Sequence, residues 1–231
     1  MPRLWELFTA NRTEKQTRNM PPLWTLCMDG KLAEVRSALA RGEDVNSKDS
    51  SGTTALMLAV WYKHNSIVKL LLDQPAVDVN VKSNNVGWTA LHIAVLHNNA
   101  EGARMLLLHK GFNSANVTGN GGHTALMWAV YKNHNSIVKL LLDQPAVDVN
   151  LKNDHGETAL ICAAKDMCNN AEGAKMLLLH KNISVSANTT DRDGYTALMR
   201  AVRDVNPEVL RELVKHQCVS LDLGWLEGNQ R

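Results

Sequence analysis

Histidine and cysteine are considered first, because the nine His and four Cys residues of this chain are types that bind metal ions. The thiols are spread thinly, at Cys27, Cys162, Cys168 and Cys218. Cys162 and Cys168 enclose five residues rather than the two typical of structural zinc sites, and no pair of His residues four apart encloses a Glu. We therefore predict no metal site and no cofactor, and interpret the Cys residues as reduced structural thiols.

Phosphate-binding and nucleophilic sites are also poorly supported. Gly119 to Gly122 precedes an expected helix, but the Lys-Ser/Thr of a P-loop is missing. No Gly-x-Ser-x-Gly motif occurs, and no Cys stands in an activating context with a partner His. The sequence predicts that the protein is not an enzyme.

The charge balance argues against several kinds of partner. Of 231 residues, 25 are Lys or Arg and 23 are Asp or Glu, which gives a net charge of +2. Nucleic-acid binding through phosphates and a polybasic membrane anchor both need a stronger basic excess. No apolar run approaches the roughly 18 residues that span a bilayer, and the first residues lack the pattern of a signal peptide. We expect a soluble, monomeric, cytoplasmic protein without membrane insertion, and the nucleus stays open as a second location.

An internal repeat with a period near 35 residues organises the chain. The string Gly-x-Thr-Ala-Leu occurs five times, beginning at Gly52, Gly87, Gly122, Gly156 and Gly194. A longer block is also copied, since the 17 residues from His64 to Asn80 return unchanged from His134 to Asn150. Repetition at a fixed period indicates a solenoid whose units become stable by stacking.

One unit can be interpreted in detail. Thr54 stands where a helix N-cap belongs, and apolar residues then recur at helical spacing over 55–60. A second apolar set over 67–72 ends before Pro75, which disfavours helix in the residue before it. The polar residues that follow, from 78 onward, form a turn-rich connection. Each unit is thus predicted to contain two short antiparallel helices and a hairpin-like loop.

These motifs resemble the ankyrin repeat family, whose pattern begins Thr-Pro-Leu-His-x-Ala. The nearest match is Thr-Ala-Leu-His-Ile-Ala at residues 89–94, and Ala replaces the family's Pro in every unit. The resemblance covers about residues 22–216. It implies an all-α repeat solenoid, an ankyrin-like stack of about six helix-turn-helix units joined by hairpin loops. The expected divisions are an N-terminal extension at 1–20, units at about 21–50, 51–85, 86–119, 120–154, 155–190 and 191–219, and a tail at 220–231.

Three departures from the family pattern concern stability. The Gly expected between the two helices is Lys63, Asn98 or Asn133 in units two to four, and Asn tolerates the left-handed conformation better than Lys does. Gly102 and Gly173 stand where larger residues are usual, which predicts closer packing or lower stability. The fifth unit has about two extra residues between its helices, so the form of that turn is left open.

The resemblance implies that hairpin tips and first helices line a concave surface that contacts partners. Residues at these places vary between units while the buried Ala and Leu positions do not, and aromatic residues are prominent among them. The predicted partner-binding residues are Trp61, Tyr62, Trp88, His97, His123, Tyr131, Lys132, Tyr195 and Arg203. The alternative is that Trp61 and Trp88 only pack over neighbouring units. Trp128 is expected in the core, since Leu58, Ile93 and Cys162 occupy equivalent positions.

The expected function is a non-catalytic protein–protein interaction module, an adaptor or scaffold that binds a protein or peptide. The alternative is a regulatory or targeting domain of a larger intracellular enzyme or receptor. The resemblance also implies that Asn80 and Asn150 could be substrates of asparaginyl hydroxylases, because each ends an Asp-Val-Asn motif and follows a Leu by eight residues. The alternative is that these Asn side chains hold the hairpins through backbone hydrogen bonds.

Overall fold

A computed structural model describes residues 21–165, 168–183 and 187–216. Over these ranges the chain forms twelve α-helices, a 3-10 turn at Asn120–Gly122 and no β-strand beyond two isolated bridges. The helices are α1 (Leu23–Met28), α2 (Leu32–Ala40), α3 (Ala55–Trp61), α4 (Asn65–Leu72), α5 (Ala90–Leu96), α6 (Ala100–Leu107), α7 (Ala125–Tyr131), α8 (Asn135–Leu142), α9 (Ala159–Ala164), α10 (Ala171–Leu178), α11 (Ala197–Arg203) and α12 (Pro207–Lys215). The expected extension at 1–20 and tail at 220–231 lie outside the described residues.

The helices pair in sequence order, so α1 with α2, α3 with α4 and each later pair form one unit. First helices contact the first helices of neighbouring units, and second helices contact second helices. This arrangement confirms the predicted all-α stack of helix-turn-helix units. None of the described helices has the length and hydropathy needed to cross a membrane.

The first helix of each unit from the second to the sixth begins at a capping Thr. Thr54 Oγ1 accepts a hydrogen bond from the Met57 amide at 3.2 Å, and Thr124, Thr158 and Thr196 cap their helices in the same way. The helix begins at the following Ala, so the loss of the family's Pro leaves the helix start intact.

The residue between the two helices of most units has a positive φ. Lys63, Asn98 and Asn133 have φ values of 59°, 50° and 58°, as predicted from the missing Gly. In the fifth unit the extra residues end α9 one residue early, and the left-handed position falls at Asn169. In the sixth unit it falls on Val205, whose φ is 51° and whose side chain is 82% exposed. A β-branched residue is strained in this region and gains little from packing here.

Replacing Val205 by Asn is expected to raise the free energy of unfolding by about 1 kcal/mol, because Asn tolerates the left-handed conformation that Val resists. Chemical denaturation followed by circular dichroism measures the change. Val202→Asn is the matched control, since Val202 is also exposed but lies within α11, where Asn has no such advantage. Equal or lower stability of Val205→Asn relative to the wild type would contradict this account of strain.

The core is a single continuous layer of aliphatic residues that runs through all the described units. Ala59, Ala94, Ala129 and Ala163 are fully buried where first helices approach one another, and leucines of the second helices fill the space behind them. Small side chains allow close approach of stacked helices. The core therefore needs few aromatic residues.

Each unit is tied to the one before it by the residue that caps its second helix. His64 Nε2 lies 3.2 Å from the Met28 carbonyl oxygen, and Asn99 Nδ2 donates to the Val60 carbonyl at 3.0 Å. The same link joins His134 to Val95, Asn170 to Val130 and Asn206 to Ala164. These carbonyls lie in the last turn of a first helix, where the regular amide donor four residues later is lost.

Gly102 and Gly173 make room for two of these caps. The Gly102 amide donates to Asn99 Oδ1 at 2.9 Å, and a Cβ at residue 102 would lie only 2.6 Å from Asn99 Nδ2. Gly173 has the same relation to Asn170. The prediction from sequence considered only the lost side-chain volume. The structure shows that these glycines instead allow the Asn caps.

Candidate partner-binding surface

The predicted binding residues occupy fixed positions in each unit: the residue before the capping Thr, and the seventh and eighth residues after it. Together with the fourth residue after the Thr they form what we call the first-helix surface. From the second to the sixth unit it consists of Thr53, Leu58, Trp61, Tyr62; Trp88, Ile93, Leu96, His97; His123, Trp128, Tyr131, Lys132; Glu157, Cys162, Lys165, Asp166; and Tyr195, Arg200, Arg203, Asp204. Asp166 lies outside the described residues.

Four rings of the third and fourth units form an aromatic cluster, and Trp128 is at its centre. Its ring centroid lies 6.5 Å from that of Trp88, 4.9 Å from His123 and 5.7 Å from Tyr131. Trp88 and Tyr131 meet Trp128 edge to face, an arrangement that aromatic quadrupoles favour. The structure thus brings three of the predicted residues together around one that was not predicted.

Trp128 is not the core residue expected from the sequence. Its side chain is partly exposed, whereas Leu58 and Cys162 at equivalent positions are 8% and 2% exposed. The position lies at the edge of the core, so an indole packs on the core and then extends over the surface. The signal in the sequence was that Trp128 is larger than Leu58, Ile93 and Cys162 at the equivalent positions.

Trp88 also packs on the unit that follows it. A Cβ at Gly119 would lie 2.5 Å from Trp88 Cδ1, so the absence of a side chain at residue 119 gives the indole its place. Packing over a neighbouring unit therefore accounts for part of the role of Trp88. Its contact with a partner stays a prediction.

Trp61 and Tyr62 are the most exposed aromatic residues of the described chain, at 39% and 48%. The Trp61 ring packs on His97 of the next unit at a centroid distance of 4.2 Å with a tilt of 36°, and the Tyr62 ring stacks with His64 at 6.2 Å. Burial, together with the charge of Lys63, lowers the pKa of His97 and favours its neutral form. This part of the surface is apolar and accessible.

His123 belongs to a hydrogen-bonded network that leads into the fifth unit. Asn153 Oδ1 accepts from the amides of His155 and Glu157, so its Nδ2 donates to His123 Nε2 at 2.9 Å and to Glu157 Oε2 at 2.8 Å. Lys165 Nζ donates to the other Glu157 oxygen at 2.7 Å. Burial alone would raise the pKa of Glu157, but these hydrogen bonds outweigh it and hold that pKa below its usual value.

The sixth unit places a buried arginine at the position that is Leu58, Ile93, Trp128 or Cys162 in the units before it. Arg200 Nε donates to Asp191 Oδ2 at 2.6 Å, and its Nη2 donates to Asp193 Oδ2 at 2.6 Å. Tyr195 lies beneath both cations, with its centroid 4.5 Å from the Arg200 guanidinium carbon and 5.0 Å from that of Arg203. The structure thus joins the predicted Tyr195 and Arg203 through Arg200. Arg200 was not predicted from the sequence, although it is the charged residue among equivalent positions that are otherwise uncharged.

Asn80 and Asn150 both bond to the following unit. Asn80 Nδ2 donates to the Gly111 carbonyl at 2.8 Å, and Asn150 Nδ2 donates to the Asn182 carbonyl at 3.1 Å. The amide of Asn113 donates back to Asn80 Oδ1 at 3.2 Å. These bonds support the structural interpretation of both residues, and their hydroxylation stays a prediction.

The described cysteines are poor nucleophiles. Burial raises the pKa of Cys27 to about 12 and that of Cys168 to about 11, and it raises the pKa of Cys162 further. Cys218 lies outside the described residues. Within the part of the chain that the structure describes, no three His, Cys, Asp or Glu side chains converge on a common point that could hold a metal ion.

The opposite helices carry their own exposed residues, which we call the second-helix surface: the exposed side chains on and immediately after α4, α6, α8 and α10. Leu108 and Leu179 follow α6 and α10 at equivalent positions and are 69% and 73% exposed. Each lines a shallow groove against the neighbouring second helix. This surface supplies matched controls for tests of the first-helix surface.

Stacked helix pairs with constant buried positions and variable first-helix residues define the class of this protein, a helical repeat solenoid. The family model described as ankyrin repeats (3 copies) matches residues 4–85, 23–118, 77–153, 107–189 and 145–223. The chain belongs to the ankyrin repeat family.

Known relatives share the repeats over part of their length. The chain is 37% identical to the photoreceptor ankyrin repeat protein of Mus musculus over 76 residues, which are 32% of this chain and 20% of the mouse protein. It is 36% identical to a putative ankyrin repeat protein of Rickettsia bellii over 58 residues, which are 25% of this chain and 60% of that protein. This chain therefore matches less than two thirds of the length of either curated relative.

A solved structure extends the likeness over most of the fold. The crystal structure of an ankyrin repeat domain from Acinetobacter baumannii AYE superposes with a TM-score of 0.73 at 25% identity. The match covers 84% of this chain and 96% of that domain.

Proposed function

We propose that this protein is a non-catalytic adaptor or scaffold whose first-helix surface binds a protein or peptide partner. Ankyrin repeats are generally protein–protein interaction modules. One observation supports the location: Trp61 and Tyr62 expose large aromatic surface at positions whose residue types change from unit to unit. Exposed aromatic residues are enriched among those that dominate binding energy.

The arrangement of the surrounding residues supports the same proposal. The aromatic cluster is linked through Asn153 to the Glu157–Lys165 ion pair of the fifth unit, and the sixth unit adds further ion pairs, which gives an apolar region with a charged border. Protein interfaces commonly have this composition. Tyr195 and Arg203 belong to that border, and Lys132 adjoins Tyr131 of the aromatic cluster.

Several further features support a role without catalysis. The described thiols are buried and have raised pKa values, and Glu157 and Arg200 are engaged in ion pairs. We also propose a cytoplasmic, monomeric protein, as its composition indicates.

Affinity capture followed by mass spectrometry tests the proposed surface. The full chain is compared with Trp61→Ala/Tyr62→Ala, in which exposed side chains are removed with little effect on the core, and with Leu108→Ala/Leu179→Ala on the second-helix surface. We expect a specific partner to be lost from the aromatic variant and retained by the leucine variant. Circular dichroism verifies that both variants are folded. Retention by the aromatic variant together with loss from the leucine variant would place the site on the wrong surface.

A further inference from the structure

Charges on the first-helix surface are balanced in the last two units. Lys165 pairs with Glu157 at 2.7 Å, and Arg203 pairs with Asp204 at 2.8 Å. Arg200 pairs with both Asp191 and Asp193. The cations there already have carboxylate partners from the protein itself.

The aromatic units two to four differ in this respect. Lys63 and Lys132 are exposed there, and neither makes a salt bridge with any carboxylate of the described residues. The twelve first-helix positions of these units contain no Asp or Glu. These three units therefore present positive charge that no carboxylate of the described residues neutralises through a salt bridge.

Both lysines lie beside aromatic residues of the first-helix surface. Lys63 follows Trp61 and Tyr62, and its charge helps to lower the pKa of His97 in the next unit, after the larger effect of burial. Lys132 Nζ lies 5.7 Å from the centroid of the Tyr131 ring. The Trp61 ring packs on His97, which belongs to the unit between those of the two lysines. Apolar area and unpaired cations thus occur side by side.

We propose that units two to four bind an acidic peptide segment of the partner protein, in which Asp or Glu side chains neighbour large apolar ones. This inference rests on the proposed function and specifies its partner. The carboxylates pair with Lys63 and Lys132, while the apolar side chains cover Trp61, His97 and Tyr131. Charge complementarity of this kind fixes the register of a bound segment and suppresses basic competitors.

A peptide fits these observations better than a nucleic acid does. Phosphate backbones are bound by many Lys and Arg residues together, whereas this chain has a net charge of only +2 and two unpaired lysines beside the rings. An isolated pair of cations beside exposed aromatic area matches a few carboxylates within an apolar segment.

Selection from a display library of random linear 12-residue peptides, with the full chain as target, tests the proposal. The selected peptides are synthesised with a fluorescent label, and their Kd is measured for the wild type, Lys63→Glu/Lys132→Glu and the control Lys69→Glu/Lys139→Glu. The control makes the same charge change at exposed positions of α4 and α8 on the second-helix surface. A fold-preserving variant, Lys63→Asn/Lys132→His, carries the residues that the third unit has at these positions.

We expect the selected peptides to be rich in Asp or Glu next to aromatic or aliphatic residues. Their Kd should rise at least roughly tenfold in the charge-reversed variant, less in Lys63→Asn/Lys132→His, and hardly at all in the control. Binding should also weaken when the salt concentration is raised from about 0.05 M to about 0.5 M. Selected peptides without an acidic excess would overturn the proposal. Equal affinity for the wild type, Lys63→Glu/Lys132→Glu and Lys63→Asn/Lys132→His would do the same. So would tighter binding of a labelled 12-nucleotide single-stranded DNA than of any selected peptide.

Trp61→Ala/Tyr62→Ala separates failure of this inference from failure of the proposed function. Peptides that lose affinity for this variant but not for the lysine variants would leave the surface correct and its charge preference wrong. Peptides that keep full affinity for the aromatic and lysine variants, and lose it in Leu108→Ala/Leu179→Ala, would overturn both.

Discussion

Replacing Arg200 by Leu is expected to lower the free energy of unfolding by about 3–5 kcal/mol, because it leaves the carboxylate of Asp191 buried without its cation. The side chain of Asp191 is 1% exposed and that of Arg200 is 6% exposed. Leu supplies no donor to replace the lost partner. Urea denaturation followed by circular dichroism measures the change.

The double variant Arg200→Leu/Asp191→Asn is the control, since it copies an arrangement that another unit already uses. Asn153 accepts two backbone amides as Asp191 does, and the helix that follows it, α9, carries Cys162 in place of Arg200. Asp49 makes the same turn before α3, which carries Leu58 at the position equivalent to Arg200. Asp49 is partly exposed, so water can solvate its carboxylate. We expect the double variant to recover most of the lost stability. A loss below about 1 kcal/mol in the single variant, or no recovery in the double variant, would show that the ion pair does not stabilise the last unit.

Acidification is expected to destabilise the protein through His92. This side chain is 1% exposed, and burial, aided by the charge of Lys82, lowers its pKa to about 4. The Thr89 amide donates to Nδ1 at 3.3 Å, which requires the neutral ring. Between pH 6.5 and 4 the unfolded chain therefore binds a proton that the folded chain does not. The free energy of unfolding should fall over this window by about 3 kcal/mol in total and change little from this group above it.

His92→Met is the matched control for this pH dependence. Met57 occupies the equivalent position in the second unit, where its sulfur accepts the Thr54 amide at 3.5 Å. The variant should fold and show a much flatter profile between pH 6.5 and 4. A smaller slope should persist, because the pKa values of His97 and His180 are also lowered. Identical slopes in the variant and the wild type would rule out His92 as the main cause.

Repetition explains why most of the fold could be predicted from the sequence. Thr54 and its equivalents mark where the first helix of each unit from the second to the sixth begins. The left-handed residues Lys63, Asn98 and Asn133 stand where the family pattern has Gly. These features depend on neighbours within a single unit, so five copies of one motif determine them. The sixth unit followed the same pattern with Val205, which the sequence did not single out.

Features that depend on contacts between units could not be predicted in the same way. Gly102 leaves room for the Asn99 side chain, which bonds both to the Gly102 amide and to the Val60 carbonyl of the preceding unit. Trp128 appeared to be a core residue because Leu58, Ile93 and Cys162 occupy equivalent positions, yet its ring is left partly exposed. A period shows which positions are equivalent. It does not show how a larger or charged side chain alters its own position.

Side-chain footprinting of the captured partner complex tests the central claim most directly. Hydroxyl-radical labelling compares Trp61 and Tyr62 on the first-helix surface with Leu108 and Leu179 on the second-helix surface, all of which are exposed in the free protein. We expect partner binding to protect Trp61 and Tyr62 and to leave both leucines as reactive as before. Protection of the leucines with unchanged labelling of Trp61 and Tyr62 would contradict the proposed binding surface.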